Sequence, residues 1–429
     1  MLNGARPQPE TPTLDQQPAL RRKDFKALDA SDPLRPFRTR FALPRGLIYF
    51  NGNSLGALPR DTSARLARLV EQEWGQDLVR GWNAHGWVDL PQRLGDKIGR
   101  LIGALPGETI VADSTSVNLF KVLAMALQLR PQRRVILSER SNFPADLYIA
   151  EGLVDLLGGH HELRLVEPAE IEAAIDDSVA VVMLTHVNYR SGQMHDLKQL
   201  TARAHAAGAL TIWDLAHSAG AVPLALAEAG ADFAVGCGYK FLNGGPGAPA
   251  FLCIAERHQA EVRSPLSGWF GHLRPFAFES GYVPATGVTR ALAGTPSIVA
   301  MTALEVGVDL MLEADMVLIR EKSLRQTELF MQLFDQQLNR HGFELVSPRE
   351  ASRRGSQVCL SHAQGWPIMR ALHQHGVIGD FRAPDVLRFG FCPLYLGYTE
   401  IWDAVAALAG ILRSGEWQRA EYQPAVKVT

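Results

Sequence analysis

The sequence predicts an α/β fold: a parallel or mixed sheet covered on both faces by helices, followed by a smaller α+β unit. Three observations carry this. Near-continuous apolar runs such as "VAVVMLTHVN" (179–188) and "ALTIWDLAHSAG" (209–220) alternate with helical stretches. Strands that are apolar along their whole length are buried on both faces, as in parallel sheets. Each run also ends in polar residues: Thr185, His186 and Asn188; Asp214 and His217; Tyr239 and Lys240. Ligands bind beyond the carboxyl ends of strands in such sheets. Finally, 429 residues is long for one core, so a second unit is expected.

The elements follow in order. Residues 1 to about 20 are rich in Pro and Gln and read as disordered or loosely attached. Leu66, Leu69, Val70, Trp74 and Leu78 recur at helical spacing within 62–79, which predicts a helix. "RGWNAHGWVDLPQRLGDKIGRLIG" is a loop holding two tryptophans and His85 that leads into another helix. Strands are expected within 133–139, 179–188, 209–220, 231–241 and 248–254. A helical stretch from about Ser297 to His341, in one or two pieces, leads to a unit of about 342–420. There the short runs "FELVSP", "SQVCLSH" and "VLRFGFC" alternate with helices.

Composition narrows the function. Hydrophobic residues are 47%, charged residues 21% and the net charge is −2, which gives no support for nucleic-acid or membrane-surface binding. Cys237, Cys253, Cys359 and Cys392 form no C-x-x-C pair, which speaks against zinc and thioredoxin-type chemistry. Such scattered cysteines suit a reducing compartment. The N-terminus lacks an apolar signal region and no run is long enough to cross a bilayer, so a cytoplasmic protein is expected. His373 and His375 read as a helix-to-turn edge rather than a metal site. "GGPG" lacks the G-K-[ST] of a P-loop and no G-x-S-x-G elbow occurs.

Lys240 is the residue that demands explanation. It follows an apolar strand and precedes "NGGPG", a loop tight enough to let a ligand approach the backbone. An ordinary surface lysine is the bland alternative. A lysine held in such a site instead loses its proton readily and condenses with an aldehyde, for which pyridoxal phosphate is the cofactor. That cofactor needs a carboxylate for its ring nitrogen. Asp214 ends the preceding strand, 26 residues before Lys240, and parallel strands joined by a crossover bring such ends together. Taken alone, Asp214 reads equally as a helix N-cap. His217 either reaches the cofactor's hydroxyl or phosphate or is an ordinary histidine at a helix start. Asp113, Ser114, Thr115 and Ser116 precede a clear helix; this is either a phosphate site or plain capping. Phe143 is suited to lie on a cofactor ring. Arg388, among apolar neighbours, is the cation expected for an amino-acid carboxylate.

Together these stretches resemble the kynureninases, pyridoxal-phosphate hydrolases of the aspartate-aminotransferase fold (fold type I). The resemblance runs in order through "YFNGNSLG", "GWNAHGW", "STSVNL", "NFPAD", "THVNYRSG", "WDLAHSAGAVP", "GCGYKFLNGGPGAPAFL", "SGWFGH", "RALAGTPSI" and "LRFGFCPLY". It implies a large domain with a mainly parallel seven-stranded sheet over 46–300 and a small C-terminal α+β domain over 301–429. An N-terminal segment, 1–45, would be partly disordered and pack on the small domain. It implies that Lys240 bears the cofactor, that Asp214 pairs with the ring nitrogen, and that Phe143 stacks on the ring beside Asp146. Thr115, Ser116, Thr185, His217 and Tyr239 would complete the cofactor site. Trp269 and Thr295 would reach it from a second subunit, so that a homodimer shares the active site. Arg388 would hold the substrate carboxylate, and Ser54 and His85 would line the pocket of the aromatic ring.

The implied reaction cleaves L-kynurenine with water to anthranilate and L-alanine, in tryptophan degradation and NAD biosynthesis, with Tyr239 as acid/base for the substrate's Cβ. Some relatives carry asparagine at position 295, so the threonine here leaves the preference between L-kynurenine and 3-hydroxy-L-kynurenine open. A cysteine desulfurase-like lyase is the alternative within the fold. It would need a mobile catalytic cysteine, and Cys359, the nearest candidate, lies in an apolar strand pattern.

Overall fold

A computed structural model describes residues 19–423. Most of the expected N-terminal disordered tract therefore lies outside the described residues. Helix α1 (Arg22–Ser31) opens the described chain. The expected helix of 62–79 is shorter: an α-helix at Asp61–Arg68 passes into a π-helical turn at Leu69–Trp74. Its apolar positions are not all core, since Val70, Trp74 and Leu78 are exposed. Helix α2 (Leu90–Ile102) buries Leu90, Leu94, Ile98 and Leu101 as one stripe and ends at Gly103, whose φ of 66° is left-handed. Glycine adopts that conformation without the strain a Cβ brings.

The main sheet is formed by β1 (Thr109–Val111), β2 (Val135–Glu139), β3 (Glu162–Val166), β4 (Val179–Thr185), β5 (Leu210–Asp214), β6 (Phe233–Cys237) and β7 (Ala250–Ile254). These seven strands lie in the order β1-β7-β6-β5-β4-β2-β3. Only β7 runs against its neighbours; the rest are parallel. β1 and β3 are absent from the sequence reading because each is short or half-exposed and carries no continuous apolar run. All seven residues of β4 are buried. Val182 and Leu184 feed one apolar core, while Val181 and Met183 feed the other. Burying each such side chain contributes about 1.5–3 kcal/mol before entropy is counted. Helices α3 (Thr115–Gln128) and α4 (Pro144–Leu156) cover the second face.

The long helical stretch is two helices, α5 (Ile298–Glu313) and α6 (Met316–Gln337). The break falls at Ala314, whose backbone is extended, and Asp315, whose carboxylate caps α6 by accepting from the Val317 amide at 2.8 Å. Beyond it, β8 (Glu344–Leu345), β9 (Gln357–Ser361), β10 (Asp380–Arg382) and β11 (Val386–Gly390) form an antiparallel sheet in the order β10-β11-β9-β8. Helix α7 (Gly365–Gln374) packs with it, and α8 (Tyr398–Ser414) packs against α6 and α7. Helix α1 lies on α8 through the Phe25–Trp402 ring contact and the Arg22–Asp403 ion pair at 2.7 Å.

The segment before Asp61 ties the two sheets together. Ile48 and Tyr49 pair with Val377 and Ile378, and Gly56 donates its amide to the Tyr239 carbonyl at 2.8 Å. A Cβ at Gly56 would stand 2.3 Å from the Lys240 carbonyl oxygen, so only glycine lets the chain approach so closely.

Candidate active site

Parallel strands put their carboxyl ends on one edge, and the polar residues meet there. Thr185 and Asp214 stand opposite each other in register at the ends of β4 and β5. The turn after β6 brings in Tyr239 and Lys240. With the start of α3 and the Phe143 turn before α4, these ends enclose a cavity of about 410 Å³. Thr115, Ser116, Phe143, Asp146, Thr185, Asp214, His217, Tyr239 and Lys240 all line it. A wider cleft of about 860 Å³ beside Ile171, His195 and Arg353 contains none of these residues.

The cavity's electrostatics are unusual. Asp146 and Asp214 are both buried on the wall of this cavity. Burial raises both carboxyls above their ordinary range; for Asp146 the Asp214 charge adds to this, while for Asp214 the Lys240 charge opposes it. Asp214 also accepts from the Ala216 amide at 2.8 Å, so its backbone turn and its carboxylate orientation are one feature. Burial and the Lys240 charge hold His217 well below its usual range, so it is neutral. Its Nδ1 contacts Gln357 Oε1 at 3.1 Å. Two backbone carbonyls, Asn188 and Tyr189, accept from Gln357 Nε2 at 3.2 and 3.1 Å. That fixes the amide's orientation, so Nδ1 of His217 carries the hydrogen and Nε2 is the acceptor. Burial pushes the Tyr239 hydroxyl up as well.

The residues fit pyridoxal phosphate. Ser114 caps α3 through the Val117 amide at 3.3 Å. The amides of Thr115 and Ser116, in the first turn of a helix that starts at the cavity, have no helical acceptor and are the type of donor that binds an anion. Asp113, which leads into this turn, takes a left-handed φ of 45° and is tied to the fully buried Lys121. Gly245 and Gly247 have φ of 81° and 79°, and a Cβ at either would meet nothing within 4 Å. Phe143 is 37% exposed on the cavity wall and meets Tyr189 edge-to-face with ring centroids 5.2 Å apart. The buried carboxyl pair suits a protonated ring nitrogen, and Lys240 brings a primary amine to the same cavity.

Other named residues lie apart. Arg388 and Ser54 sit next to the cavity in a cluster with Asp380 and Arg382. His85 bonds Asp77 at 2.8 Å and is not among the residues that line the cavity. Trp269 is 40% exposed, and Thr295 is exposed too. Cys359 is buried and its thiol is pushed up by burial to about 11, unlike a mobile nucleophile. The sequence reading missed Gln357, Tyr189, Asp380 and Arg382. Gln357, Asp380 and Arg382 belong to the small sheet, away from the main sheet's strand ends, and Tyr189 lies just past the polar residues that close the 179–188 run.

The comparisons with known proteins agree with this geometry. Residues 319–408 match the kynureninase C-terminal domain family. The kynureninase of Pseudomonas fluorescens is 52% identical over 95% of this chain and 99% of its own. That of Burkholderia pseudomallei is 50% identical over the same shares. Among solved structures, the apo cysteine desulfurase of Thermococcus onnurineus NA1 superposes with a TM-score of 0.75 at 19% identity. The match covers 88% of this chain and 98% of that one. A C-DES mutant with glycine covalently linked to its PLP cofactor gives 0.71 at 17% identity, over 87% and 98%. At those identities the likeness concerns the fold.

Proposed function

The chain belongs to the kynureninase family, enzymes that hydrolyse L-kynurenine with pyridoxal phosphate, and we propose that the cavity at Lys240 is where this chain does so. The observation that carries the reading is the meeting of Lys240, the buried Asp214 and the α3 N-terminus in one cavity. When bound, the cofactor supplies an electron sink for a carbanion next to the substrate's amine.

The chain's own residues do the rest. Lys240 would hold the cofactor through its Nζ and would take the substrate's Cα proton on the same atom. Asp214, held by the Ala216 amide, would pair with the cofactor's ring nitrogen and keep it protonated. The neutral His217 presents Nε2 as an acceptor, which suits the cofactor's ring hydroxyl better than its phosphate. Thr115 and Ser116 take the phosphate, with Tyr239 near it. Arg388 holds the α-carboxylate. Tyr239 gives a proton to Cβ; its raised pKa keeps the hydroxyl loaded at neutral pH. A Tyr239→Phe enzyme with unchanged turnover would remove Tyr239 from this role.

A homodimer completes the site, with Trp269 and Thr295 entering from the second subunit. The exposure of Trp269, Trp74, Leu78 and Val79 supports this. Ser54 and His85 line the aromatic-ring pocket, and Thr295 leaves the choice between L-kynurenine and 3-hydroxy-L-kynurenine open. The division into 1–45, 46–300 and 301–429 and a cytoplasmic location belong to the same reading. Among the described residues no helix is long and apolar enough to cross a membrane.

The test is direct. The protein purified with pyridoxal phosphate should release fluorescent anthranilate from L-kynurenine, and Lys240→Ala should abolish both this and the borohydride-fixed cofactor adduct. Anthranilate release by Lys240→Ala at the wild-type rate would overturn the assignment.

A further inference from the structure

Arg388 is not a free cation waiting for a substrate. The antiparallel register sets Asp380 of β10 directly across from it on β11. Arg388 Nε donates to Asp380 Oδ1 at 2.8 Å and Nη2 donates to Asp380 Oδ2 at 2.5 Å. Nη2 also donates to Ser54 Oγ at 2.7 Å, and Nη1 donates to the Tyr189 carbonyl at 2.8 Å. A guanidinium has five N–H groups, so one is left. The fork that binds a carboxylate with two parallel bonds already holds one.

Arg382, two residues along the same strand, is arranged differently. Its Nη2 donates to Asp380 Oδ2 at 2.8 Å and to Ser54 Oγ at 3.2 Å. Its Nε is buried with no hydrogen-bond partner, a costly state for a charged donor. Two guanidinium groups and one carboxylate leave a net charge of +1, which one further carboxylate neutralises. The cluster adjoins the cavity: Tyr189 lines it, and His217 on its wall feels both guanidinium charges.

We propose that Asp380 is an internal stand-in for the substrate's α-carboxylate: it holds Arg388 in the empty enzyme and passes to Arg382 when the substrate takes its place. This rests on the reading of Arg388 as the substrate's clamp. The exchange moves no proton and makes no covalent bond. Asp380 Oδ2 already touches Arg382, and a shift toward it gives Arg382 Nε the acceptor it lacks. Arg388 is never left unpaired in a buried place, where an uncompensated charge is expensive. The cluster goes from +1 to neutral with a monocarboxylate and would become negative with a dicarboxylate. Asp380 and Arg382 are thus positioning residues that act through Arg388, and they set the site's preference for a monoanion.

The test uses the holoenzyme, with KM for L-kynurenine and the inhibition constant of 4-oxo-4-phenylbutanoate, a substrate-shaped monocarboxylate that lacks the amine. Arg382→Gln removes the second resting place of Asp380, so both constants should rise about tenfold, the value of one charge-assisted hydrogen bond. Arg382→Lys, which keeps the charge without the fork, should fall between. Asp380→Asn removes the internal competitor, so the inhibitor should bind at least about threefold tighter, and adding Arg382→Gln to it should change nothing further. A merely structural Arg382 would cost the same in both backgrounds. The proposal is overturned if Arg382→Gln and Arg382→Lys leave both constants within about twofold of wild type, or if the loss persists with Asp380→Asn. If Asp380→Asn does not fold, the graded Gln and Lys series decides alone. Arg388→Lys separates the premise: unchanged KM there rejects the clamp itself, whereas a raised KM there with silent Arg382 variants rejects only the exchange.

Discussion

Gln357 Oε1 accepts from His217 Nδ1 at 3.1 Å, across the boundary between the small sheet and the large one. The same oxygen accepts from Asn53 Nδ2 at 3.2 Å. One amide therefore sets a cavity histidine's tautomer and joins three distant segments. Gln357→Leu leaves that buried Nδ1–H unpaired, at a cost of about 1–3 kcal/mol. Pyridoxal phosphate should be retained about tenfold less tightly or worse, measured by equilibrium dialysis, and unchanged retention would show that the tautomer does not matter.

Gly56 lies against the Lys240 turn with no room for a methyl group. Gly56→Ala should push this turn away, because backbone atoms rather than a flexible side chain stand in the way. Destabilisation of about 1–3 kcal/mol is expected. A drop in kcat/KM larger than the loss of folded protein accounts for should accompany it. Normal kinetics in Gly56→Ala would mean that the turn yields freely.

Asp146 and Asp214 share one buried place, and burial with like charge raises Asp146 well above the usual carboxyl range. A carboxyl whose folded pKa is raised confers stability that is full below its unfolded pKa and lost as pH rises through the folded one. At neutral pH, Asp146→Asn should therefore stabilise the cofactor-free protein, by about 1–2 kcal/mol, while weakening cofactor binding. Differential scanning calorimetry of the cofactor-free protein reads the first effect. The gain should shrink as pH falls toward the unfolded value of about 4; a gain that grows would contradict the sign.

Asp232, far from the cavity, has the opposite character. Burial would raise its carboxyl, but His205 at 2.8 Å, His258 at 2.7 Å and Arg257 at 2.8 Å outweigh it and hold the carboxyl far below its usual range. It also accepts from the Thr211 amide at 2.8 Å. A depressed carboxyl stabilises above its unfolded pKa, and that stability is lost as pH falls below it. Asp232→Asn should cost about 3 kcal/mol or more in urea unfolding at pH 7. The difference from wild type should narrow below about pH 4. Equal stability at neutral pH would show that the cluster contributes nothing net.

The legible part of the site was the part that local pattern encodes. Asp214, Lys240 and Thr185 stand where an apolar run stops, and a strand end is visible in the chain itself. The α3 start was legible because Ser114 caps a long apolar helix. Gln357 and Asp380 gave no such signal: one begins a short strand, the other lies in a three-residue strand with no apolar alternation. The Leu66–Leu78 spacing read as a helix, yet Trp74 and Leu78 are exposed. Periodicity shows which side of a helix is apolar, not what covers it.

What the sequence by itself determined is the chemistry available: a lysine and an aspartate at successive strand ends, an anion-binding helix start, and the stretches shared with the kynureninases. Only the tertiary structure decided how those groups are charged and paired. Asp146 and Asp214 come from different strand–helix units, yet burial raises both carboxyls. Arg388 looked like an open clamp until the β10–β11 register set Asp380 across from it. Charge state and pairing depend on desolvation and on contacts between residues far apart in the chain, and neither is carried by the residues nearby in sequence.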